Sequence, residues 1–290
     1  MAEHLPRAVP AQGVFHVKSV VASDQHFGYY EAHLAPGYRA MMFSSGDDPR
    51  CHDLLFARRF EPSSMRLVAA LLGGGDCFVD VGAHTGTYSL LAAQLADVVV
   101  AIEPNPLSFA RLVLHLGLNG LQNKAVPIHA AVGDRPGLLE LSWGSTKGFG
   151  WLSSGTQTGV RTTHFSRTVA QSLPLDSLGL RAKARLFLKI DVEGSECGVV
   201  AGGAKVFATK PDFLIESFSA DNCRAITQQL SPEYRYFRVH EEQLVLRETV
   251  GLEAADIKSG SFNSFASARF DEIEPELVEA GFVITRLSQS

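Results

Sequence analysis

The sequence predicts a doubly wound α/β domain, in which parallel strands alternate with helices, preceded by a β-rich extension. An apolar stretch, Cys77–Val81, leads through a turn of small residues into a segment with helical periodicity. Two more apolar stretches, Val98–Ile102 and Leu186–Ile190, each end in acidic residues. Such short apolar runs are typical of parallel strands that are buried on both faces. We assign residues 1–60 to an N-terminal arm and hairpin extension, and residues 61–290 to the α/β domain.

The composition is that of an ordinary globular protein. Of 290 residues, 46% are hydrophobic and 20% are charged. A net charge of −5 argues against nucleic acid or an anionic membrane as a partner, because phosphate binding needs concentrated Lys and Arg. The N-terminus lacks an apolar signal region, and four widely spaced cysteines favour reduced thiols, so we expect a cytoplasmic protein with no membrane span. The sequence leaves the oligomeric state open, a homo-oligomer included.

The extension and the first helices follow from local signals. Residues 20–43 are rich in aromatic residues and turn signals, which predicts one or two short hairpins. We expect these hairpins to cap the sheet edge, and covering the substrate is the alternative. A helix is predicted over 63–72, because a proline precedes it and three glycines follow it. Asn105 and Pro106 have the residue types of a helix cap and first helical position.

The second half of the chain continues with strands and helices. Residues 126–132 are predicted as the third strand and 138–143 as an antiparallel edge strand, while the polar stretch 144–172 is interpreted as a flexible substrate loop. Further strands are predicted over 213–215, 234–246, 261–268 and 281–287, with helices over 221–230 and 275–280.

The turn after the first strand is the first candidate ligand site. It consists of Gly82, Ala83, His84, Thr85 and Gly86. Its G-x-x-x-G spacing differs from the G-x-G-x-x-G that wraps a dinucleotide pyrophosphate. Asp80, inside the strand, repels phosphate and favours an ammonium group or a hydroxyl. The pattern indicates a ligand with a cationic amino-acid part, such as S-adenosylmethionine, although a purely structural glycine turn is the alternative.

Acidic residues at the ends of the other strands are further candidates. Glu103 lies about 20 residues past the turn, where an acid can accept hydrogen bonds from ribose hydroxyls. Asp191 and Glu193 follow Leu186–Ile190, at the sheet edge where ligands bind in open α/β folds. These carboxylates are either functional or structural. Paired carboxylates also bind Mg²⁺, but nothing else in the sequence requires a metal, and none is predicted.

Four motifs occur in order along the chain: FVDVGAHTG, AIEPNP, HAAVGD and LKIDVEGSE. Together they resemble the FkbM family of S-adenosylmethionine-dependent methyltransferases over about residues 60–220. The resemblance implies a Rossmann-like class I methyltransferase fold, with a mostly parallel seven-stranded sheet and an antiparallel edge strand. It implies S-adenosyl-L-methionine as the cofactor. The family often has Asn where His84 stands, which puts a side-chain contact to the cofactor there in doubt.

The resemblance also implies roles for the candidate residues. Asp80 and the turn from Gly82 to Gly86 would hold the methionine part of the cofactor, and Glu103 the ribose hydroxyls. Pro104 and Asn105, which follow Glu103, are also assigned to the cofactor site, although Asn105 fits a purely structural cap as well. Adenine would rest against Ala131 and Val132.

The reaction implied is O-methylation of a small-molecule acceptor, a sugar or natural product bearing a hydroxyl. Such a hydroxyl gains from a general base, for which Asp191 is the first candidate, Glu193 the second and Glu216 the third. One alternative is an NAD-dependent oxidoreductase, which the glycine spacing and Asp80 disfavour. The other is a non-catalytic binding protein of the same fold, which the intact acidic residues disfavour.

Overall fold

The structure is a computed structural model, and it describes residues 20–22, 25–45, 60–144, 150–152, 165–180, 185–256, 258–259 and 261–287. The predicted arm, and most of the predicted loop over 144–172, lie outside these residues. The strands are β1 (Val20–Ala22), β2 (Gln25–Ala35), β3 (Tyr38–Ser45), β4 (Cys77–Val81), β5 (Val98–Ile102), β6 (Ala125–Ile128), β7 (Ala131–Val132), β8 (Gly137–Gly144), β9 (Gly150–Leu152), β10 (Phe165–Leu173), β11 (Leu186–Ile190), β12 (Asp212–Glu216), β13 (Arg235–His240), β14 (Val245–Thr249), β15 (Asn263–Ser267) and β16 (Val283–Thr285). The helices are α1 (Pro62–Leu71), α2 (Thr87–Leu95), α3 (Pro106–Leu118), α4 (Glu196–Ala201), α5 (Ala204–Ala208), α6 (Ala220–Gln229) and α7 (Phe270–Glu279), with a 3-10 helix over Leu175–Leu178.

The central sheet confirms the predicted fold class. Its nine strands run in the order β16-β14-β13-β15-β12-β11-β4-β5-β6. The strands from β12 to β6 are mutually parallel. The count of seven strands is wrong, because β14 and β16 extend the sheet beyond β13. Three strands run opposite to the strands from β12 to β6: β15, inside the sheet, and β14 and β16 beyond β13. An antiparallel strand, β16, thus lies at the sheet edge, as predicted.

Helices cover both faces of the sheet, so each face has its own apolar core. On one face, α1, α2, α3 and α7 pack over a row of aromatic rings from neighbouring parts of the sheet. Phe78 stacks on Phe187 at 5.8 Å between ring centroids, and Phe237 stacks on Phe270 at 4.0 Å. On the other face, α4, α5 and α6 bury residues such as Val199 and Ile226. The central strands are therefore apolar on both sides, except where a polar residue has a special role.

The N-terminal hairpin is confirmed, but its predicted position is wrong. Strands β1, β2 and β3 form a separate antiparallel sheet that packs on α1, α2 and α3 rather than on the edge of the central sheet. His115 on α3 and Asn119, just after its end, hold β3 in place. The Asn119 side chain exchanges two hydrogen bonds of 2.8 Å with the Met41 backbone. The 60/61 domain division stays a prediction, although both parts share one apolar core.

Five element assignments differ from the prediction. The end of the predicted loop, residues 165–172, forms most of β10, which pairs antiparallel with β8. Residues 126–132 form two strands, since the chain leaves the central sheet after Ile128 and Ala131–Val132 pairs with β10. The segment 138–143 belongs to that second sheet, of order β7-β10-β8-β9. Residues 234–246 make a hairpin, β13 and β14, because the chain reverses between them.

The last difference concerns α7. This helix begins at Phe270, so Pro275 lies inside it and not at its first position. Proline is tolerated there because the amphipathic segment buries Phe270, Ile273 and Leu277 against the core. None of the helices in the described part of the chain combines the length and apolarity that crossing a bilayer requires.

Candidate active site at the carboxyl edge of the sheet

The candidate site lies where β4, β5, β11 and β12 end. The chain leaves β4 toward α2 on one face and leaves β11 toward α4 on the other, which opens a crevice between these two strands. Gly82 lies at the centre of this crevice, with φ of +85°. A Cβ atom there would lie 1.8 Å from the backbone oxygen of Asp191. The turn after β4 and the segment after β11 are thus in direct backbone contact, which only glycine permits.

Glu103 ties the same turn to the end of β5. Its side chain is 6% exposed. One carboxylate oxygen accepts a hydrogen bond from the His84 backbone N–H at 2.7 Å, and the other accepts from the Asn105 N–H at 2.7 Å. His84 has a φ of +50°, a conformation that Asn, Asp and His adopt more readily than other side chains. This explains how His replaces the commoner Asn without distorting the turn.

Asn105 has the structural role that its sequence position predicts. Its side-chain oxygen accepts hydrogen bonds from the N–H groups of Leu107 and Ser108, which caps α3. Pro104 lies between Glu103 and this cap, and its carbonyl oxygen lies 3.1 Å from Nε2 of His129. His129 also stacks on Phe109, with 4.8 Å between ring centroids, so it borders the end of β5. Sequence reasoning did not assign His129 to the site.

Ala131 and Val132 lie elsewhere than predicted. They form β7, in the second sheet, and not the end of the third strand. Both are buried, Ala131 against Leu141 and Val132 in the core beneath α4. Their assignment to the adenine stays a prediction.

Asp80 and Lys189 form a buried row across β4 and β11. They are register neighbours in the parallel pair, and they are 2% and 1% exposed. One Asp80 oxygen accepts a hydrogen bond of 2.6 Å from the Ser89 hydroxyl on α2. Lys189 Nζ lies 3.6 Å from a carboxylate oxygen of Asp191 and 5.4 Å from the centroid of the Tyr88 ring. Sequence reasoning missed Lys189, although a lysine inside an apolar strand was the signal.

The charge of Lys189 is set by its acidic neighbours. Burial alone lowers the pKa of a lysine, but the carboxylates of Asp191, Glu61, Glu216 and Asp80 outweigh burial, and the pKa of Lys189 is raised. Lys189 is therefore an ammonium ion at neutral pH. It provides positive charge at the centre of a cluster of carboxylates.

The three candidate bases come together at this edge. Asp191 and Glu193 are half-buried in the segment after β11, and Glu193 adopts a left-handed φ of +53°. Glu216 ends the neighbouring strand, β12. Burial and the nearby carboxylates of Asp191, Glu61 and Glu193 raise the pKa of Glu216 well above its usual value, although Lys189 opposes this shift. Glu216 therefore holds its proton to higher pH than an ordinary glutamate.

A second group of polar residues closes the site from the side of α1. Glu61 accepts hydrogen bonds from the Tyr88 hydroxyl at 2.6 Å and from the Asn263 amide at 2.9 Å. Glu241 accepts from the backbone N–H groups of Ser63 and Ser64, each at 3.0 Å, at the start of α1. Burial, together with the Glu61 carboxylate, raises the pKa of Glu241 to about 7. Sequence reasoning missed this group, because its members are far apart in the chain.

Metal ligands are not evident at the site. Within the described ranges, no three or more His, Cys, Asp or Glu side chains are grouped so that they could hold a metal ion.

Comparisons with solved structures give distant similarities. An FkbM methyltransferase from Methylobacillus flagellatus KT has 15% identity and a TM-score of 0.44 over 68% of this chain, and the chain covers only 44% of that protein. A SAM-dependent O-methyltransferase from Thermotoga maritima has 13% identity and a TM-score of 0.40, with 79% of this chain and 73% of that one covered. A precorrin-6y C5,15-methyltransferase from Geobacter metallireducens GS-15 has 11% identity and a TM-score of 0.39, with coverages of 71% and 88%.

Sequence comparisons are more specific. No curated protein matches the chain. The profile of the methyltransferase FkbM domain matches residues 80–284, from the acid of the glycine turn to the last strand of the central sheet. This match covers well over half of the chain and includes β5, β11 and β12 together with the last two residues of β4. The chain belongs to the FkbM methyltransferase family.

Proposed function

We propose that this protein transfers a methyl group from S-adenosyl-L-methionine to a hydroxyl of a small-molecule acceptor, a sugar or natural product, in the cytoplasm. The observation that carries the proposal is the backbone contact between Gly82 and Asp191. It puts a carboxylate at the border of the turn that would hold the cofactor. A base beside a methyl donor is the arrangement that an alcohol nucleophile requires.

Methyltransferases of this family use S-adenosyl-L-methionine, and the residues present fit it. The cofactor carries an ammonium and a carboxylate on its methionine part. Asp80 has the charge to receive the ammonium, and the start of α2 attracts the carboxylate. Thr85 and Thr87 each bury a hydroxyl that meets no hydrogen-bond partner within the described residues. Buried hydroxyls are normally bonded, so these positions are suited to a ligand.

Three groups of residues along the crevice are proposed to contact the methionine, ribose and adenine parts of the cofactor. Asp80 and the turn of Gly82, Ala83, His84, Thr85 and Gly86 hold the methionine part. Glu103 receives the ribose hydroxyls, with Pro104 and Asn105 shaping that end of the site. Ala131 and Val132 flank the adenine.

Asp191 is the proposed general base, and it removes the proton of the acceptor hydroxyl. When bound, the cofactor supplies a methyl group activated by its sulfonium. Asp191 is half-buried, and one of its carboxylate oxygens lies 3.6 Å from Lys189 Nζ. Glu193 and Glu216 border the same space. Because Glu216 holds its proton more readily, it is less suited than Asp191 to accept one at neutral pH.

Calorimetric titration with S-adenosylhomocysteine, with NAD as the comparison, tests the cofactor. Binding of the former alone is expected, and mass spectrometry of reactions with hydroxylated acceptors then identifies methylated products. Binding of NAD alone would instead revive an oxidoreductase. S-adenosylhomocysteine binding without turnover of any acceptor would support a non-catalytic protein.

Replacing Glu103 with glutamine is expected to weaken S-adenosylhomocysteine binding about tenfold or more. The reason is that charged acceptors form stronger hydrogen bonds with hydroxyls than neutral ones do. Calorimetry measures the affinity, and a melting curve monitors the bonds to His84 and Asn105. The matched control is Glu272→Gln, on the exposed side of α7. An unchanged affinity in Glu103→Gln would remove Glu103 from the ribose site.

A further inference from the structure

Lys189 has donor groups from which no described residue accepts a hydrogen bond. Its ammonium is buried, and Nζ has no hydrogen-bond partner within the described residues. Asp191, at 3.6 Å, is an ion-pair neighbour beyond hydrogen-bonding distance. Burying an ammonium whose three protons are not donated is costly. A ligand oxygen that accepts hydrogen bonds from Lys189 Nζ would offset this cost.

Lys189 shares a pocket with the start of α2. Lys189, Thr87, Tyr88, Asp80, Gly82 and Asp191 all line it. Thr87 is the first residue of α2, is 2% exposed, and has a hydroxyl without a partner within the described residues. The preceding residue, Gly86, gives the helix no side-chain cap. An ammonium, a hydroxyl and the positive end of a helix dipole therefore meet in one pocket, and together they favour an anion.

We propose that Lys189 and Thr87 bind the carboxylate of the cofactor's methionine part, assisted by the first turn of α2. The inference rests on the proposed function, because it takes S-adenosylmethionine as the ligand. Asp80 borders the same pocket and receives the ammonium of that amino-acid part. The pocket thus recognises both charges of a zwitterion. Lys189 keeps its positive charge because four carboxylates raise its pKa.

The depth of Lys189 favours the cofactor over the acceptor as its ligand. Lys189 is paired in register with Asp80, one residue before the end of β11, whereas Asp191 lies beyond the end of the strand. Tyr88 and Thr87 cover Lys189 from the side of α2. The acceptor oxygen must approach from the open edge, where Asp191 and Glu216 lie. Lys189 is accordingly a cofactor-binding residue, and Asp191 lies between it and the acceptor.

Two adenosine ligands test the proposal by calorimetry without any acceptor. S-adenosylhomocysteine carries the amino-acid part, and 5′-methylthioadenosine lacks it. Lys189→Met keeps the unbranched stem and removes the charge. We expect it to weaken S-adenosylhomocysteine binding about 10- to 100-fold and to leave 5′-methylthioadenosine binding unchanged. Lys205→Met, an exposed lysine on α5, is the control and should change neither affinity.

The other outcomes separate the alternatives. Unchanged binding of S-adenosylhomocysteine to Lys189→Met would overturn the proposal, and so would an equal loss for both ligands, which would mark a structural lysine. Failure of the unaltered protein to bind S-adenosylhomocysteine would overturn the proposed function itself.

A second variant keeps the proposal testable if Lys189→Met does not fold. Thr87→Val removes a hydroxyl that bonds to no described residue, so it should preserve the fold. We expect it to weaken S-adenosylhomocysteine binding about fivefold to tenfold, with 5′-methylthioadenosine unaffected. An unchanged affinity for S-adenosylhomocysteine would overturn the assignment.

Discussion

Replacing Gly82 with alanine is expected to lower the free energy of unfolding by more than about 4 kcal/mol and to abolish cofactor binding. The new Cβ would lie 1.8 Å from the backbone oxygen of Asp191 and 2.8 Å from its carbonyl carbon. Neither side can yield easily, because Gly82 N–H donates to Ile102 and Asp191 N–H donates to Val81, both at 2.9 Å. Urea unfolding measures the stability, and calorimetry with S-adenosylhomocysteine measures the binding.

Gly37→Ala is the matched control for this substitution. Gly37 lies in the turn between β2 and β3, has the same φ of +85°, and has open space where a Cβ would be added. It should cost only the strain of the left-handed backbone, about 1–2 kcal/mol. If Gly82→Ala costs no more than Gly37→Ala, the approach of Asp191 is not what requires glycine at position 82.

Replacing Asp191 with asparagine is expected to lower kcat by about 10²- to 10⁴-fold, the usual contribution of general base catalysis. Asparagine keeps the size and shape of the side chain but cannot accept the acceptor's proton. It also leaves the Lys189 ammonium with less compensation, so a smaller loss of stability should accompany the loss of turnover. Steady-state kinetics and thermal melting separate the two effects.

Comparison with other carboxylates identifies the base. Asp221→Asn, on the exposed start of α6, should leave kcat unchanged. Glu193→Gln and Glu216→Gln should each reduce kcat less than Asp191→Asn does. A fully active Asp191→Asn would discard Asp191 as the base, and a larger loss in Glu216→Gln would transfer that role to Glu216.

The strands that border the crevice could be predicted because their signal is local. Buried parallel strands are continuous apolar runs, and β4, β5 and β11 each end in a turn signal or an acid. Asn105 was predictable as a cap for the same reason. The split between β6 and β7 could not be predicted, because Ala131 pairs with Ser172, 41 positions later, and no local pattern indicates that pairing.

The residues that complete the site were missed for a related reason. From the sequence alone, a lysine such as Lys189 is expected at the surface. Its burial follows from its neighbours across the sheet, Asp80 on β4 and Leu214 on β12. Glu61 and Glu241 meet only because α1 packs beside the loop after β13. Sequence periodicity reports which face of an element is apolar, but it does not report which distant polar side chains share a buried space.

The hydrogen bond between Glu61 and Asn263 has a consequence for biosynthesis. It joins residues separated by 202 positions, and Glu241 joins the start of α1 across 178. The chain leaves the ribosome with its N-terminus first, so the glycine turn and α2 emerge long before Glu241 and Asn263, which close the site from the side of α1. Closing such long loops also slows folding. The apolar faces of α1 and β4 must therefore avoid aggregation in the nascent chain until Asn263 has been synthesised.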